Sequence, residues 1–180
     1  MLQLSKCKLL QKSFSRYFHE HNANNISMDL TKFKHSYSLT VRNYEIDWQG
    51  IVHNANYLLY FEVARVDYFK HVGMEIDERS INGKIKIVVV RNELDYYNSA
   101  TFDDRLTIYT RISAINNSSI ICEGIMVNQE KKKEIAKNVC VLVWIDPVTN
   151  TSAPVPLYFR KRVQQYEGAD AQIQFPSIEV

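Results

Sequence analysis

The chain has 180 residues, of which 46% are hydrophobic and 23% charged, and carries a formal net charge of +2. That composition fits one soluble globular domain and argues against a disordered, collagen-like or coiled-coil identity, and no apolar run approaches the roughly 20 residues of a membrane-spanning helix. The basic excess sits in residues 1–27, where Lys6, Lys8, Lys12 and Arg16 face Glu20 alone; the remaining 18 basic and 19 acidic side chains leave a near-neutral body, without the basic field that nucleic-acid binding uses.

In chain order, residues 1–32 read as a basic N-terminal extension. It has no long apolar stretch followed by a small-residue cleavage site, so a secretory signal is not expected. Leu10, Phe14, Tyr17 and Phe18 would line one side of a helix, the acid-poor pattern of organelle transit peptides. A cationic tail, or a natural start at Met28, are the competing readings, and a chain beginning at Met28 is expected to fold and keep its activity. Cys7, Cys122 and Cys140 form no CxxC motif, which fits free thiols in a reducing compartment. The cytoplasm is the expected location, with an organelle matrix as the alternative if the leader is a transit segment. The histidines occur singly at His19, His21, His35, His53 and His71, so neither a structural zinc site nor any other metal is expected.

A folded domain is expected over 33–166, with 167–180 as a C-terminal tail. From Tyr37, apolar Tyr37, Leu39 and Val41 alternate with Ser38, Thr40 and Arg42, the period of a half-buried strand. After a polar loop ending at His53-Asn54, apolar residues recur at Tyr57, Leu58, Phe61, Ala64, Tyr68, Phe69 and Val72. This spacing predicts one long amphipathic helix, with Asn54 or Asn56 as its N-cap and Gly73 as its stop. Four β-rich runs follow, Ile85–Tyr97, Leu106–Ile115, Ser119–Asn128 and Glu134–Ile145, and their short connections predict antiparallel neighbours. In the last run Ile135, Val139, Val141, Val143 and Ile145 fall on alternate positions with one break, and Leu157–Tyr166 is expected as a short terminal helix. The economical packing is α+β, a five-stranded antiparallel sheet wrapped around one long central helix.

The chemistry is expected in the loop from Tyr44 to Tyr57. Asp47 lies between the first strand and the helix, so the loop can fold back over the helix start. The first N–H groups of a helix lack internal partners and carry partial positive charge, which makes the region of Asn54–Asn56 a site for a developing oxyanion. A carboxylate facing it can attack a carbonyl or activate water; an Asp in such a loop also serves simply as a turn former or cap.

The run Tyr44-x-x-Asp47-x-x-Gly50-Ile51-Val52-x-x-Ala55-Asn56-Tyr57, with Tyr60-Phe61-Glu62-x-x-Arg65, resembles the signature of the 4-hydroxybenzoyl-CoA thioesterase-like branch of the hotdog-fold acyl-CoA thioesterases. The strand–helix–four-strand order extends the similarity from Ser36 to Ile145. The resemblance implies the hotdog fold, hydrolysis of acyl-CoA to a free acid and coenzyme A, no cofactor, and homodimers or homotetramers (dimers of dimers) with active sites at the subunit interface. Carried onto this chain, it makes Asp47 the catalytic nucleophile or general base and the Asn54 backbone N–H the donor to the thioester carbonyl. Many relatives carry His where Asn54 stands, so an imidazole role is not transferred there; His53, one residue earlier, remains a catalytic candidate, and the Asn54 side chain a second donor. Trp48, Gly50, Tyr57, Tyr60, Phe61 and Glu62 are the expected substrate-side residues, with Glu62 also a reserve catalytic group and a partner for Arg65. Lys84, Lys86, Arg91 and Lys131–Lys133 are candidate contacts for coenzyme A phosphates. The rival readings are a hydrolase of acyl groups on acyl carrier protein and a non-catalytic hotdog protein that binds acyl-CoA.

Overall fold

In the computed structural model, the described residues are 29–74, 76 and 86–176. The leader with its Leu10 to Phe18 face, Cys7, Met28 and Lys84 lie outside them.

The elements are β1 (His35–Thr40), α1 (Asn54–His71), β2 (Lys86–Tyr96), β3 (Arg105–Ile115), β4 (Ser119–Asn128), β5 (Lys133–Ile145), α2 (Leu157–Glu167) and a short β6 (Gln172–Ile173). Tight turns make β3, β4 and β5 antiparallel neighbours, because a short connection can only fold the chain back on itself. The sheet order is β1-β3-β4-β5-β2. β1 and β2 are therefore consecutive strands at opposite edges, and the connection between them carries α1 across one face of the sheet. β6 adds a parallel pair to the end of β3, Ala114 with Gln172 and Ile115 with Ile173.

Burial divides along α1. Tyr57, Tyr60, Phe61 and Ala64 of its first half pack with Val41, Val52, Leu106, Ile108, Met126 and Ile135. Tyr68, Phe69 and Val72 of its second half pack with Ile112, Ile120, Cys122, Leu142 and Trp144, and with Phe159 and Val163 of α2. Each such side chain contributes roughly 1.5–3 kcal/mol on burial, so the helix is held along its length. Gly124 of β4 lets it come close: a Cβ there would lie 2.7 Å from the Phe61 ring. α2 is anchored by polar groups as well, since the Tyr68 hydroxyl donates to Glu167 Oε1 at 2.5 Å and the buried Arg160 donates to the carbonyls of Val155 and Asn116 at 2.8 and 2.7 Å.

The α+β arrangement expected from the sequence, an antiparallel sheet around one long helix, is the one found. Three details differ. In β5 the buried face carries Ala136, Asn138, Cys140, Leu142 and Trp144, while Val139, Val141, Val143 and Ile145 are only half-buried; the β-branched residues line the outer face, where propensity for a pleated surface governs their choice. The N-cap of α1 is His53, not the expected Asn54 or Asn56. Glu167, placed at the start of the expected tail, is 1% exposed, and Gln172–Ile173 belong to the sheet. Cys122 and Cys140 are buried and unpaired, although they face each other across β4 and β5.

Candidate active site

The loop between β1 and α1 is a small closed structure. A 3-10 turn at Asn43–Glu45 leads to an antiparallel bridge between Ile46 and Val52. Inside it the Asp47 N–H donates to the Ile51 carbonyl at 2.9 Å and the Gly50 N–H to the Asp47 carbonyl at 3.0 Å. Gly50 closes this turn at φ +76°, a conformation that costs other residues about 1 kcal/mol or more.

Two anchors hold the loop against the helix. The Glu45 carbonyl accepts the His53 N–H at 2.9 Å and the Asn56 side-chain N–H at 2.8 Å. The Glu45 carboxylate accepts the Arg42 backbone N–H at 2.7 Å and its Nε at 3.0 Å. Burial alone would raise the Glu45 carboxyl; the hydrogen bonds from the Arg42 side chain and backbone outweigh it and hold the group below its ordinary value. At the far side, the Val52 N–H donates to the Ala100 carbonyl at 2.9 Å, and the Ala100 N–H donates to the Tyr57 hydroxyl at 3.1 Å.

This framework sets the start of α1. His53 Nδ1 accepts the Ala55 N–H at 3.2 Å, which makes Nδ1 the unprotonated ring nitrogen. The Asn56 N–H goes to the His53 carbonyl at 2.9 Å. The Asn54 N–H has no acceptor among the described residues, so one donor at the positive end of the helix is left for a ligand. Asp47 Oδ1 accepts the Gln49 N–H at 2.7 Å; no donor among the described residues reaches its other oxygen.

Asp47 and Asn54 meet on a cavity of about 530 Å³, lined also by Gln49, Ile51, Val52, Tyr57, Tyr96, Tyr97, Asn98 and Ser99. Of the residues singled out from the sequence, the fold brings Asp47, Asn54 and Tyr57 together there. His53 and Gly50 shape the loop and the cap. Trp48 is 92% exposed beside the site, whereas Tyr60 and Phe61 are 2% and 3% exposed in the core. Glu62 pairs with Arg65 on α1. Among the cationic candidates, Lys86 donates to Asn150 Oδ1 at 2.5 Å, Arg91 pairs with Glu93 and Lys131 pairs with Asp104 at 2.5 Å; none lines the cavity.

The sequence pattern gives no expectation of the wall from Tyr96 to Ser99. It comprises the last residue of β2 and the three that follow, and only the crossing of the β1–β2 connection over the sheet brings that segment to the start of α1. A strand end that runs on as Tyr-Tyr-Asn-Ser carries no local sign of this neighbour. Asn56 was legible only as a candidate cap; its side chain instead ties the helix to the loop.

Residues 41–165 match the thioesterase-like superfamily. The chain is 24% identical over 112 residues to the chloroplastic acyl-acyl carrier protein thioesterase ATL3 of Arabidopsis thaliana, an alignment covering 62% of this chain and 58% of that one, so the chain spans less than two thirds of that relative. It is 27% identical over 112 residues to the acyl-CoA thioester hydrolase YbgC of Escherichia coli O157:H7, covering 62% of this chain and 82% of that one. Among solved structures, a thioesterase from Thermus thermophilus complexed with coenzyme A and Zn superposes with a TM-score of 0.66 at 29% identity, covering 76% of this chain and 96% of that one.

Proposed function

The chain belongs to the thioesterase-like superfamily, and from that premise we propose that it hydrolyses acyl-CoA thioesters to a free carboxylic acid and coenzyme A. The observation that carries the proposal is the meeting of Asp47 and the unpartnered Asn54 N–H on one cavity. The thioester carbonyl oxygen accepts the Asn54 N–H, which stabilises the negative charge that grows on it as the carbonyl carbon is attacked. Asp47 supplies the other half. As nucleophile, its free carboxylate oxygen bonds to the carbonyl carbon, the carbon–sulfur bond breaks to release the thiolate of coenzyme A, and water then cleaves the resulting anhydride. As general base, it takes a proton from a water that attacks the same carbon, and the carbon–sulfur bond then breaks to release the acid and the thiolate of coenzyme A.

In this reading His53 acts chiefly by capping α1, which fixes the peptide that carries the Asn54 N–H; its Nε2 remains free to hold a water or the leaving sulfur. The Asn54 side chain is a second donor toward the carbonyl. Tyr57 with Ile51 and Val52 receives the acyl group, Gly50 gives the loop its turn, and Trp48 offers an exposed surface beside Asp47 for the carrier. Tyr60 and Phe61 support this wall from behind, and the Glu62–Arg65 pair steadies the helix. No cofactor is needed for any step. We further propose a homodimer or a dimer of dimers, supported by apolar side chains left uncovered on α1 and β2. The unpaired buried thiols fit a reducing setting, the cytoplasm or an organelle matrix.

Thiol release from a panel of short, long and aromatic acyl-CoAs tests the function, with at least one substrate turned over well above background. Background rates on every acyl-CoA, together with binding, would leave a non-catalytic acyl-CoA-binding protein. The similarity to the Arabidopsis acyl-acyl carrier protein thioesterase favours one second reading, the same chemistry on acyl carrier protein, and a faster rate with that carrier would select it.

A further inference from the structure

Tyr96 ends β2 and reaches across to the start of α1. Its pairing with Ala136 of β5 sets its position. Its hydroxyl donates to the Asn54 carbonyl at 3.1 Å, and its ring meets the Tyr57 ring edge-on, with centroids 5.3 Å apart and planes at 89°. Tyr57 in turn is bonded to the Ala100 N–H. Two tyrosines thus tie the first turn of α1 to the far wall of the cavity.

We propose that Tyr96 is a positioning residue whose hydroxyl holds the first peptides of α1, so that the Asn54 N–H stays aimed at the substrate carbonyl. The inference rests on the role given above to that N–H. The groups left over at a helix N-terminus are N–H donors, not carbonyls, and the Asn54 carbonyl already serves the Leu58 N–H in the α-helical pattern. The phenol therefore satisfies no orphan of the helix. Nor does burial force the bond, because Tyr96 is 46% exposed and water could take the hydroxyl. What the bond does is fix the rotation of the peptide that follows Asn54, the residue whose own N–H has no acceptor among the described residues. A donor stabilises a developing oxyanion best when it is in place before the charge appears.

The test is the full-length Tyr96→Phe variant, which keeps the ring and its contact with Tyr57 and loses only the hydroxyl. On an active acyl-CoA, kcat is expected to fall about five- to tenfold, less than the roughly 10²–10³ seen when an oxyanion donor is removed outright. KM is expected to stay within about twofold, the signature of an interaction expressed in the transition state. Amide hydrogen exchange at Ala55 and Leu58 is expected to accelerate several-fold, with exchange in β4 unchanged. A raised KM at constant kcat would make Tyr96 a plain binding group and overturn the proposal, as would unchanged kcat. Were wild-type protein inactive on every thioester, the proposed function would fall, and the exchange measurement alone would decide the positioning: unchanged protection at Ala55 and Leu58 overturns it.

Discussion

Glu45 is the residue on which the loop geometry turns, although it does not line the cavity. Its carbonyl binds His53 and Asn56, and its carboxylate binds Arg42, so both the loop carrying Asp47 and the helix start carrying Asn54 are referred to one peptide. Burial opposes its ionisation, yet the Arg42 hydrogen bonds prevail and the folded-state carboxyl titrates below the ordinary 4.5. A depressed carboxyl contributes stability that is fully present above the unfolded value and is lost as pH falls through the folded one. Glu45→Gln is therefore expected to melt below wild type at pH 6–7, with the gap closing as pH drops below about 4.5. Melting temperatures of the two proteins across pH 3–7 check this, and a gap that widens toward acid contradicts it.

At the scale of elements, α1 and the strands were legible because their periods are strong. The three- and four-residue spacing from Tyr57 to Val72 marked the helix, found at Asn54–His71, and the turn clusters marked β3, β4 and β5 within a residue or so of their ends. The buried side of β5 was not legible, since apolar residues occupy both of its faces and alternation alone cannot choose between them. The His53 cap was missed for a similar reason: Asn is the commoner cap, and only the loop geometry turns Asn56 toward Glu45 and leaves Ala55 to the imidazole. At the site, Asp47, Asn54 and Tyr57 were legible from the loop, and Tyr96 to Ser99 were not, because they are local to another element.

The same elements bear on assembly. α1 leaves Leu59 and Val63 60% and 46% exposed, and the edge strand β2 leaves Val89 and Val90 44% and 57% exposed. Val90 is the extra residue of a bulge against β5. Uncovered apolar side chains on a helix and on an open sheet edge are surfaces for a further chain, and we take a second copy as the occupant. Sedimentation at micromolar concentration is expected to show a dimer or tetramer; a monomer across that range contradicts it.

For the whole molecule, the formal charge of +2 is a poor guide to the partner. It divides between a basic leader and a near-neutral body, and within that body Arg91 and Lys131 are paired with carboxylates and Lys86 is held by the Asn150 amide. In the proposed function, recognition rests instead on shape and a few directed groups: a tyrosine-walled cavity, one helix N–H and one carboxylate oxygen without a partner among the described residues. The fold's contribution is the crossing of the β1–β2 connection, which brings the start of α1, the loop before it and the end of β2 to the same place.

The proposed function places the chemistry of that cavity on Asp47. It is tested most directly by the kcat of Asp47→Ala for thiol release from the best acyl-CoA substrate, with circular dichroism to verify the fold. Loss of a positioned base or nucleophile is expected to lower kcat by about 10²–10⁴-fold, with the melting temperature nearly unchanged because, among the described residues, the Asp47 side chain accepts only one exposed hydrogen bond, from the Gln49 N–H. A folded Asp47→Ala protein that turns over at the wild-type rate would rule out Asp47 as the nucleophile or general base.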